Sequence, residues 1–205
     1  MGCAAPHPFH WDDLRNRPKE LVLRQPGVKE TEDKSAFVVS FLNASYLVEP
    51  AAERIREIAP DPARVPSQEF QILLIRYLVA DYGGPEDNVV VSEKDLPGGV
   101  TFFQGPHAMP VAGIAELYGD DLDALKKHSL KLGGAPVSYG DVGMKFYPFP
   151  EIPVTYIFWG ADEEFPASVS VLFDKTITCW FTLDMVFMTV MALTGRLIEA
   201  AGASS

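Results

Sequence analysis

Cysteine is scarce in this sequence. Its 205 residues include two cysteines, Cys3 and Cys179, which lie far apart along the chain. Two such residues form neither a disulfide framework nor the repeated spacing of a zinc site, so a small disulfide-stapled fold and a cysteine-ligated metal centre are excluded. The apolar neighbours of Cys179 predict that its side chain is buried. This cysteine usage is typical of a reducing compartment, and we expect a cytoplasmic protein.

Basic residues are also few. The chain has 17 lysines and arginines against 28 aspartates and glutamates, which gives a formal net charge of −11. A surface of that sign repels phosphate backbones and anionic lipid headgroups, so we expect no nucleic-acid partner and no membrane partner. The longest apolar run, from Met185 to Leu193, is too short to span a bilayer, and we see no signal sequence.

Motifs of common catalytic chemistry are absent as well. The sequence contains no Gly-x-Ser-x-Gly nucleophile turn, no Walker A loop and no dinucleotide-binding fingerprint. Its four histidines do not form the HExxH pattern of zinc enzymes. The residues therefore indicate no reaction type, and they leave open whether the protein is an enzyme.

Apolar residues make up 47% of the chain, which is enough for one sizeable core. We predict an N-terminal extension with short helices over residues 1–30, followed by a single α+β domain over residues 31–202. The domain is expected to have a mixed or antiparallel sheet packed against several helices. A long apolar helix is expected at its C-terminal end.

Local patterns predict the elements of this domain. In chain order they are a β-hairpin at 36–48, a helix at 51–58, an amphipathic helix from 67, a strand at 89–91, helices at 109–118 and 121–132, strands at 142–146, 154–159 and 168–173, and a helix at 183–200. The last three strands are expected to be antiparallel neighbours in one sheet. The helix at 183–200 is apolar nearly all round, which indicates either a central helix or the interface of a homodimer.

One segment joins aromatic bulk to concentrated negative charge. An apolar run ends at Trp159, three carboxylates follow at Asp162, Glu163 and Glu164, and a second apolar run ends at Asp174. Two strands joined by this acidic turn would bring several carboxylates to one point, where they raise one another's pKa or bind a divalent cation. In the alternative interpretation, Asp162 caps the turn with its own side chain and the two glutamates face water.

A second candidate site lies at a glycine pair. Gly98 and Gly99 allow positive φ, so the backbone turns sharply there and can present N–H groups to an anion. His107 follows at the start of a helix, where it would serve as an axial ligand or a base if this turn lay beside the acidic turn. The alternatives are a turn that the fold requires and a histidine that is hydrogen-bonded at a helix start. His128, on a polar helix face, is expected to be solvated.

Four ordered motifs carry a family resemblance. They are Trp159-Gly-Ala-Asp-Glu-Glu-Phe-Pro166 followed by Leu172-Phe-Asp174, the helix Phe70-Gln-Ile-Leu-Leu-Ile-Arg-Tyr-Leu78, the turn Leu96-Pro-Gly-Gly99, and Gly133-Gly134 leading to Tyr139-Gly-Asp141. Together they resemble an uncharacterised prokaryotic family, domain of unknown function 3786, over roughly residues 35–195. The N-terminal 30 residues and Ala161, which is an extra residue inside the Trp159 motif, depart from the family pattern.

The resemblance implies a setting rather than an activity. It implies an anaerobic bacterium or archaeon, and some relatives look fused to a cysteine-rich iron–sulphur segment of the kind seen in corrinoid one-carbon metabolism. This chain has no such segment, so it would take that function from an iron–sulphur or corrinoid protein partner or lack it. The resemblance thus associates the chain with a tetrapyrrole or corrinoid cofactor, whereas the acidic turn would hold a divalent metal.

Three classes of function follow. The one we favour is a non-catalytic accessory protein that binds a small ligand or cofactor, linked to anaerobic redox or corrinoid one-carbon metabolism. The second is a metal-dependent hydrolase that uses the acidic turn after Trp159. The third is a protein-interaction module that docks, or forms a homodimer, through the helix at 183–200.

Overall fold

The structure, a computed structural model, describes residues 9–202. The first eight residues of the predicted N-terminal extension lie outside them. The helices are α1 (Phe9–Asn16), α2 (Lys19–Val22), α3 (Gln68–Val79), α4 (Gly99–Phe102), α5 (Ala112–Tyr118), α6 (Leu122–Lys131), α7 (Ile177–Trp180) and α8 (Leu183–Gly202). The strands are β1 (Lys29–Glu30), β2 (Phe37–Phe41), β3 (Ala44–Glu49), β4 (Arg54–Ala59), β5 (Val90–Ser92), β6 (Ala135–Val137), β7 (Val142–Phe149), β8 (Ile152–Trp159) and β9 (Ser168–Asp174).

The strands form two antiparallel sheets. The first sheet has the order β1-β2-β3-β4, and the second has the order β5-β9-β8-β7-β6. The predicted α+β class is therefore confirmed, as is the prediction that the strands near 142–146, 154–159 and 168–173 are antiparallel neighbours. The predicted hairpin is also present, but it belongs to the separate first sheet. Every connected strand pair within residues 9–202 is antiparallel.

The predicted helix at 51–58 is wrong. Pro50–Ala52 forms only a single 3-10 turn, which ends at Glu53 in the left-handed region with φ of 49°. The chain then continues as β4, in which Ile55 and Glu57 are buried and their neighbours face solvent. This alternation has the two-residue period of a strand. Pairing with β3 therefore outweighs the helical propensity of the segment.

Aromatic side chains join the two sheets into one core. The ring of Phe41 on β2 lies 5.3 Å from the ring of Phe149 on β7, at an edge-on angle. Tyr77 on α3 stacks on Phe149 at 4.1 Å. The backbone N–H of Leu42 also donates to the carbonyl of Pro148 at 2.9 Å. The chain therefore folds as a single domain in which α3 packs against both sheets, in keeping with one continuous buried cluster.

The helix α8 is a central helix. Its buried side chains include Val186, Val190 and Leu193. The hydroxyl of Tyr156, at the middle of the second sheet, lies 3.2 Å from the Val190 carbonyl and 3.0 Å from the Thr194 hydroxyl. Of the two interpretations of its apolar surface, the central helix is the one that the structure contains. The homodimer stays a prediction.

Within residues 9–202, α8 is also the one helix long and apolar enough to cross a bilayer by length and composition. Its 18-residue window has a mean hydropathy of 1.3, and 44% of that window is buried inside the protein. The core helix of a soluble protein meets the same criterion, so this finding is weak evidence for a membrane span.

The N-terminal helices pack onto the domain. The Arg17 guanidinium donates to the carbonyl of Ala80 at 3.1 Å, and Arg76 pairs with Asp13 at 3.0 Å. These contacts attach α1 and the segment after it to α3. The predicted short helices of this region are confirmed, whereas the predicted boundary at residues 30–31 stays a prediction.

Two predictions about single residues are wrong. Cys179 is exposed on α7 rather than buried. His128 is 5% exposed rather than solvated, and its Nδ1 lies 2.9 Å from the Tyr118 hydroxyl, which donates to the Leu197 carbonyl. The physical reason is that α6 turns His128 toward α5 and α8, so a polar side chain inside the helix packing is satisfied by a tyrosine.

We predict that Gly99→Ala strongly destabilises the domain. A Cβ at this position would lie 1.8 Å from the carbonyl oxygen of Glu93, which is backbone and cannot move away cheaply. The free energy of unfolding, measured in urea, is expected to fall by about 3 kcal/mol. The matched control is Gly113→Ala, whose Cβ would meet only the end of Ile198 at 3.6 Å. A similar loss in both variants would contradict this packing argument.

Candidate functional site

In the acidic turn, the Asp162 side chain caps the turn, as the alternative interpretation predicts, and the carboxylates do not form a catalytic cluster. The Asp162 Oδ1 accepts the backbone N–H of Glu164 at 2.8 Å and that of Phe165 at 2.7 Å. These two bonds hold the pKa of Asp162 below its usual range, so its carboxylate is ionised near neutral pH and is not a proton donor. Glu163 and Glu164 are exposed, and Trp159 beside them is 40% exposed.

Asp174 does not return to the acidic turn, and the expectation that these carboxylates converge on one point is wrong. Trp159 pairs with Ser168 at one end of the β8–β9 ribbon, whereas Asp174 lies at the other end of β9. Six residues of extended strand separate Ser168 from Asp174, which corresponds to roughly 20 Å. The prediction assumed that β9 returns Asp174 to the acidic turn. In an antiparallel pair, however, β9 runs away from the turn, so its last residue lies at the opposite end.

Asp174 instead organises the turn that follows β9. Its Oδ1 accepts the Thr176 hydroxyl at 2.7 Å, the Thr176 N–H at 3.0 Å and the Asp87 N–H at 3.1 Å. Burial disfavours the charged carboxylate, but these donors outweigh the burial and hold the pKa of Asp174 below its ordinary value. Asp174 therefore ties the loop before β5 to the end of β9.

The depression nearest the acidic turn has no carboxylate of that turn in its wall. This open cleft of about 400 Å³ is bordered by α5 and by Ala161, Pro166 and Ala167. Among residues 9–202, no group of three or more histidine, cysteine, aspartate or glutamate side chains is arranged to hold a metal ion. The divalent metal therefore stays a prediction from the sequence alone.

The glycine pair is explained by the fold. Gly98 has φ of 79°, and Gly99 leaves no room for a Cβ. The Gly99 N–H already donates to the Leu96 carbonyl at 2.8 Å. His107 is exposed, and its ring stacks on Phe102 at 4.7 Å with the edge of Phe187 5.8 Å away. His107 thus lies on the side of the glycine turn and α8, not beside the acidic turn.

A cleft that the sequence analysis did not find lies along α8. Its volume is about 450 Å³, and it opens between the C-terminal half of α8 and the segment that leads into α3. We call it the α8 cleft. Its walls are largely apolar, and they are formed by Val65, Pro66, Phe70, Met188 and Met191.

Tyr46 and Arg196 form the floor of the α8 cleft, and a buried charged network lies beneath them. The side chain of Glu57 on β4 is fully buried, and its Oε2 accepts the Tyr46 hydroxyl at 3.0 Å. The same oxygen lies 3.4 Å from Arg196 Nη1 and 3.6 Å from Arg64 Nε. Its Oε1 accepts the backbone N–H of Asp61 at 3.2 Å. A buried carboxylate requires such partners, so Glu57 fixes where β3, β4 and α8 meet.

An ion pair closes one side of the cleft mouth. Arg64 Nη1 lies 2.5 Å from Glu199 Oε2, and Glu199 keeps 53% of its side chain exposed. Partial burial raises the pKa of Glu199, while the charge of Arg196 acts in the opposite direction. The mouth is therefore held by contacts that solvent can reach.

Sequence reasoning missed this site for identifiable reasons. Glu57 fell inside the predicted helix at 51–58, where a carboxylate would face solvent, and the alternation of Ile55 and Glu57 was the signal for a buried strand position. Arg196, Met188 and Met191 all fell in the predicted helix at 183–200, far along the chain from Glu57. No spacing in the sequence brings these two segments together.

A comparison with known families shows to which family this chain belongs. The model of a family described as a domain of unknown function (DUF3786) matches residues 18–196. The chain belongs to the DUF3786 family. The DUF3786 match runs from just before α2 to Arg196, so it includes every element that forms the floor of the α8 cleft. No curated protein and no solved structure matches the chain.

We predict that Glu57→Gln destabilises this DUF3786 domain by about 3 kcal/mol, because it leaves the buried Arg196 without its counter-charge. Urea unfolding at pH 7 measures the change. The control is Glu49→Gln on the neighbouring strand, which removes an ion pair with Arg54 that faces solvent. That variant is expected to unfold close to wild type, since exposed pairs contribute little. Equal losses would show that Glu57 is no more important than a surface charge.

We predict a pH-dependent effect of Asp174→Asn. Because the folded-state pKa of Asp174 is depressed, its carboxylate stabilises the fold above its unfolded pKa, and this contribution is lost as the pH falls through the folded pKa. The variant is expected to lose about 2 kcal/mol at pH 7, and its deficit should shrink below about pH 4. Urea titrations between pH 7 and pH 3 test this. Glu163→Gln is the control, and a deficit of Asp174→Asn that is constant with pH would refute the assignment.

Proposed function

We propose that this protein is a non-catalytic accessory protein that binds a small ligand in the α8 cleft. One observation carries the proposal, namely that apolar walls surround a floor formed by Tyr46 and Arg196, both of which the buried Glu57 carboxylate beneath them holds in place. Small-molecule sites are commonly clefts of about 300–1,000 Å³ that combine apolar lining with a few convergent polar groups. The α8 cleft, at about 450 Å³, has both properties.

The polar groups of the floor are suited to holding a ligand rather than to moving a proton. Burial raises the pKa of Tyr46 far above its usual value, so its hydroxyl stays protonated at neutral pH and acts as a donor to Glu57. Glu57 in turn is engaged by Tyr46, Arg196 and a backbone N–H. Groups that are fixed in this way orient a bound molecule at little cost in entropy.

The setting of this binding role is a separate part of the proposal. An accessory role in anaerobic redox or corrinoid one-carbon metabolism, with an iron–sulphur or corrinoid partner, is supported by the family resemblance and not by the cleft. The hydrolase and the docking helix have less support, since the acidic turn is exposed and α8 already packs one side into the core. The cleft supports the ligand-binding part of the proposal on its own.

The proposal is tested with N-phenyl-1-naphthylamine, a neutral apolar dye whose fluorescence rises on leaving water. We expect saturable binding to the wild-type protein, and binding at least about tenfold weaker to Gly195→Leu, a difference of 1.4 kcal/mol. Gly195 borders the cleft, and a Cβ added to it would meet nothing within 4 Å, so leucine there fills the cleft without a clash at its first carbon.

Gly202→Leu provides the matched control. Gly202 lies on the same helix and also has open space where a Cβ would stand, but it does not border the cleft. Dye binding to this variant is expected to equal that of wild type, and urea unfolding checks that both variants are folded. Equal binding to both leucine variants, or no saturable binding to the wild-type protein, would refute the proposal.

A further inference from the structure

We infer that the α8 cleft takes an amphipathic anion, whose carboxylate, sulfonate or phosphate group binds Arg196 and Arg64 while its apolar body lies along the methionines of α8. This inference rests on the proposed function and specifies the chemistry of the ligand. It follows from hydrogen-bond donors that the protein holds in place at the cleft and does not itself use.

Arg196 supplies the spare donors. Its side chain is only 10% exposed, and its contacts are a 3.4 Å approach to Glu57, a 3.9 Å approach to Glu199 and the neighbouring Tyr46 hydroxyl. A guanidinium carries five N–H donors, so several of them find no acceptor among residues 9–202. Each Arg196 nitrogen either makes a hydrogen bond or is accessible to solvent. Because Arg196 borders the α8 cleft, its free donors face that cleft.

A fixed guanidinium with free donors is a specific receptor. The planar fork of arginine matches carboxylate and phosphate oxygens in a two-point contact, and proteins use it for that purpose. The Glu57 carboxylate below Arg196 holds the fork in one orientation. A ligand anion would therefore meet a group that is already positioned, which reduces the entropy lost on binding.

The protein already places a carboxylate where the ligand's would lie. Glu199 Oε2 is 2.5 Å from Arg64 Nη1 and 3.9 Å from Arg196 Nη1, so it stands between the two arginines. Because Glu199 is 53% exposed, water can solvate its carboxylate once it leaves, and exposed ion pairs are weak. An entering anion can take its place between the two arginines while the Glu199 carboxylate turns into solvent.

The other acidic groups do not oppose this exchange. Glu57 is neutralised by its partners beneath the floor, and Glu69 lies exposed on the first turn of α3 at the rim. The apolar body of the ligand would lie against Phe70, Met188 and Met191. Methionine side chains adapt to different shapes, so the cleft specifies the head group more strictly than the body.

The test compares two dyes that differ by one group. 1-Anilinonaphthalene-8-sulfonate is N-phenyl-1-naphthylamine with a sulfonate added, so the ratio of their dissociation constants isolates the anionic head. We expect the sulfonate dye to bind about tenfold more tightly to the wild-type protein. Arg196→Lys is expected to bring the ratio of the two dissociation constants close to one, because lysine keeps the charge but not the fork.

A second variant covers the case in which Arg196→Lys does not fold. Glu199→Gln removes the competing carboxylate from an exposed position, so it is expected to raise the affinity for the sulfonate dye relative to that for the neutral dye by about threefold or more. Glu116→Gln, which removes the same charge from α5 away from the α8 cleft, is the matched control. It is expected to change neither affinity.

The outcomes separate the inference from the proposed function. If the neutral dye binds in the cleft and the sulfonate dye binds no more tightly, the anionic head group is refuted and the binding function stands. If neither dye binds, both are refuted. A competition between octanoate and octylammonium for the neutral dye gives an independent check, and stronger displacement by octylammonium would overturn the inference.

Discussion

The buried carboxylate of Glu57 is the constraint on which the arrangement of this domain depends. A charge at a fully buried position must be paired where it lies, and Glu57 draws its partners from β3, from the segment after β4 and from the end of α8. The need to satisfy this one side chain therefore sets the position of α8 over the first sheet. The α8 cleft is the space that remains above the network.

The helix α8 packs against both sheets, and its composition differs between the two sides. Toward the second sheet its surface is apolar, apart from Thr189, which donates to the Met185 carbonyl, and Thr194, which meets the Tyr156 hydroxyl. Toward the first sheet it carries Gly195 and Arg196, a small residue that leaves space and a cation that neutralises Glu57. An apolar helix with a single buried charge near its end is thus the expected result of packing on two layers.

Much of the fold could be predicted from local patterns. The hairpin, the amphipathic helix after Ser67, the three antiparallel strands and the final helix each follow from spacing within one short segment, so the sequence contains the information locally. The helix predicted at 51–58 failed because β4 is a strand only through its pairing with β3. Acidic residues at the turn after Trp159 were conspicuous, yet the geometry of an antiparallel ribbon carries Asp174 away from them.

The site itself was beyond local reasoning. Tyr46 and Glu57 are paired across β3 and β4, but Arg196 reaches them only through tertiary packing over a long stretch of chain, and no spacing in the sequence signals that contact. Glu57 lies two residues after Ile55, so in a strand both side chains face the core. A carboxylate on such an apolar face requires a cation from elsewhere in the chain. A search for that cation would have reached the only arginine of the last predicted helix.

The aromatic contacts between the sheets have a consequence for cooperativity. Phe41 of the first sheet contacts Phe149 of the second directly, and Tyr77 of α3 stacks on Phe149. The Leu42–Pro148 backbone bond is a further link between the sheets. Neither sheet can separate from the other without exposing these rings to water. We therefore expect the two sheets to unfold together, so that the slowest-exchanging amides of both sheets report the same opening event.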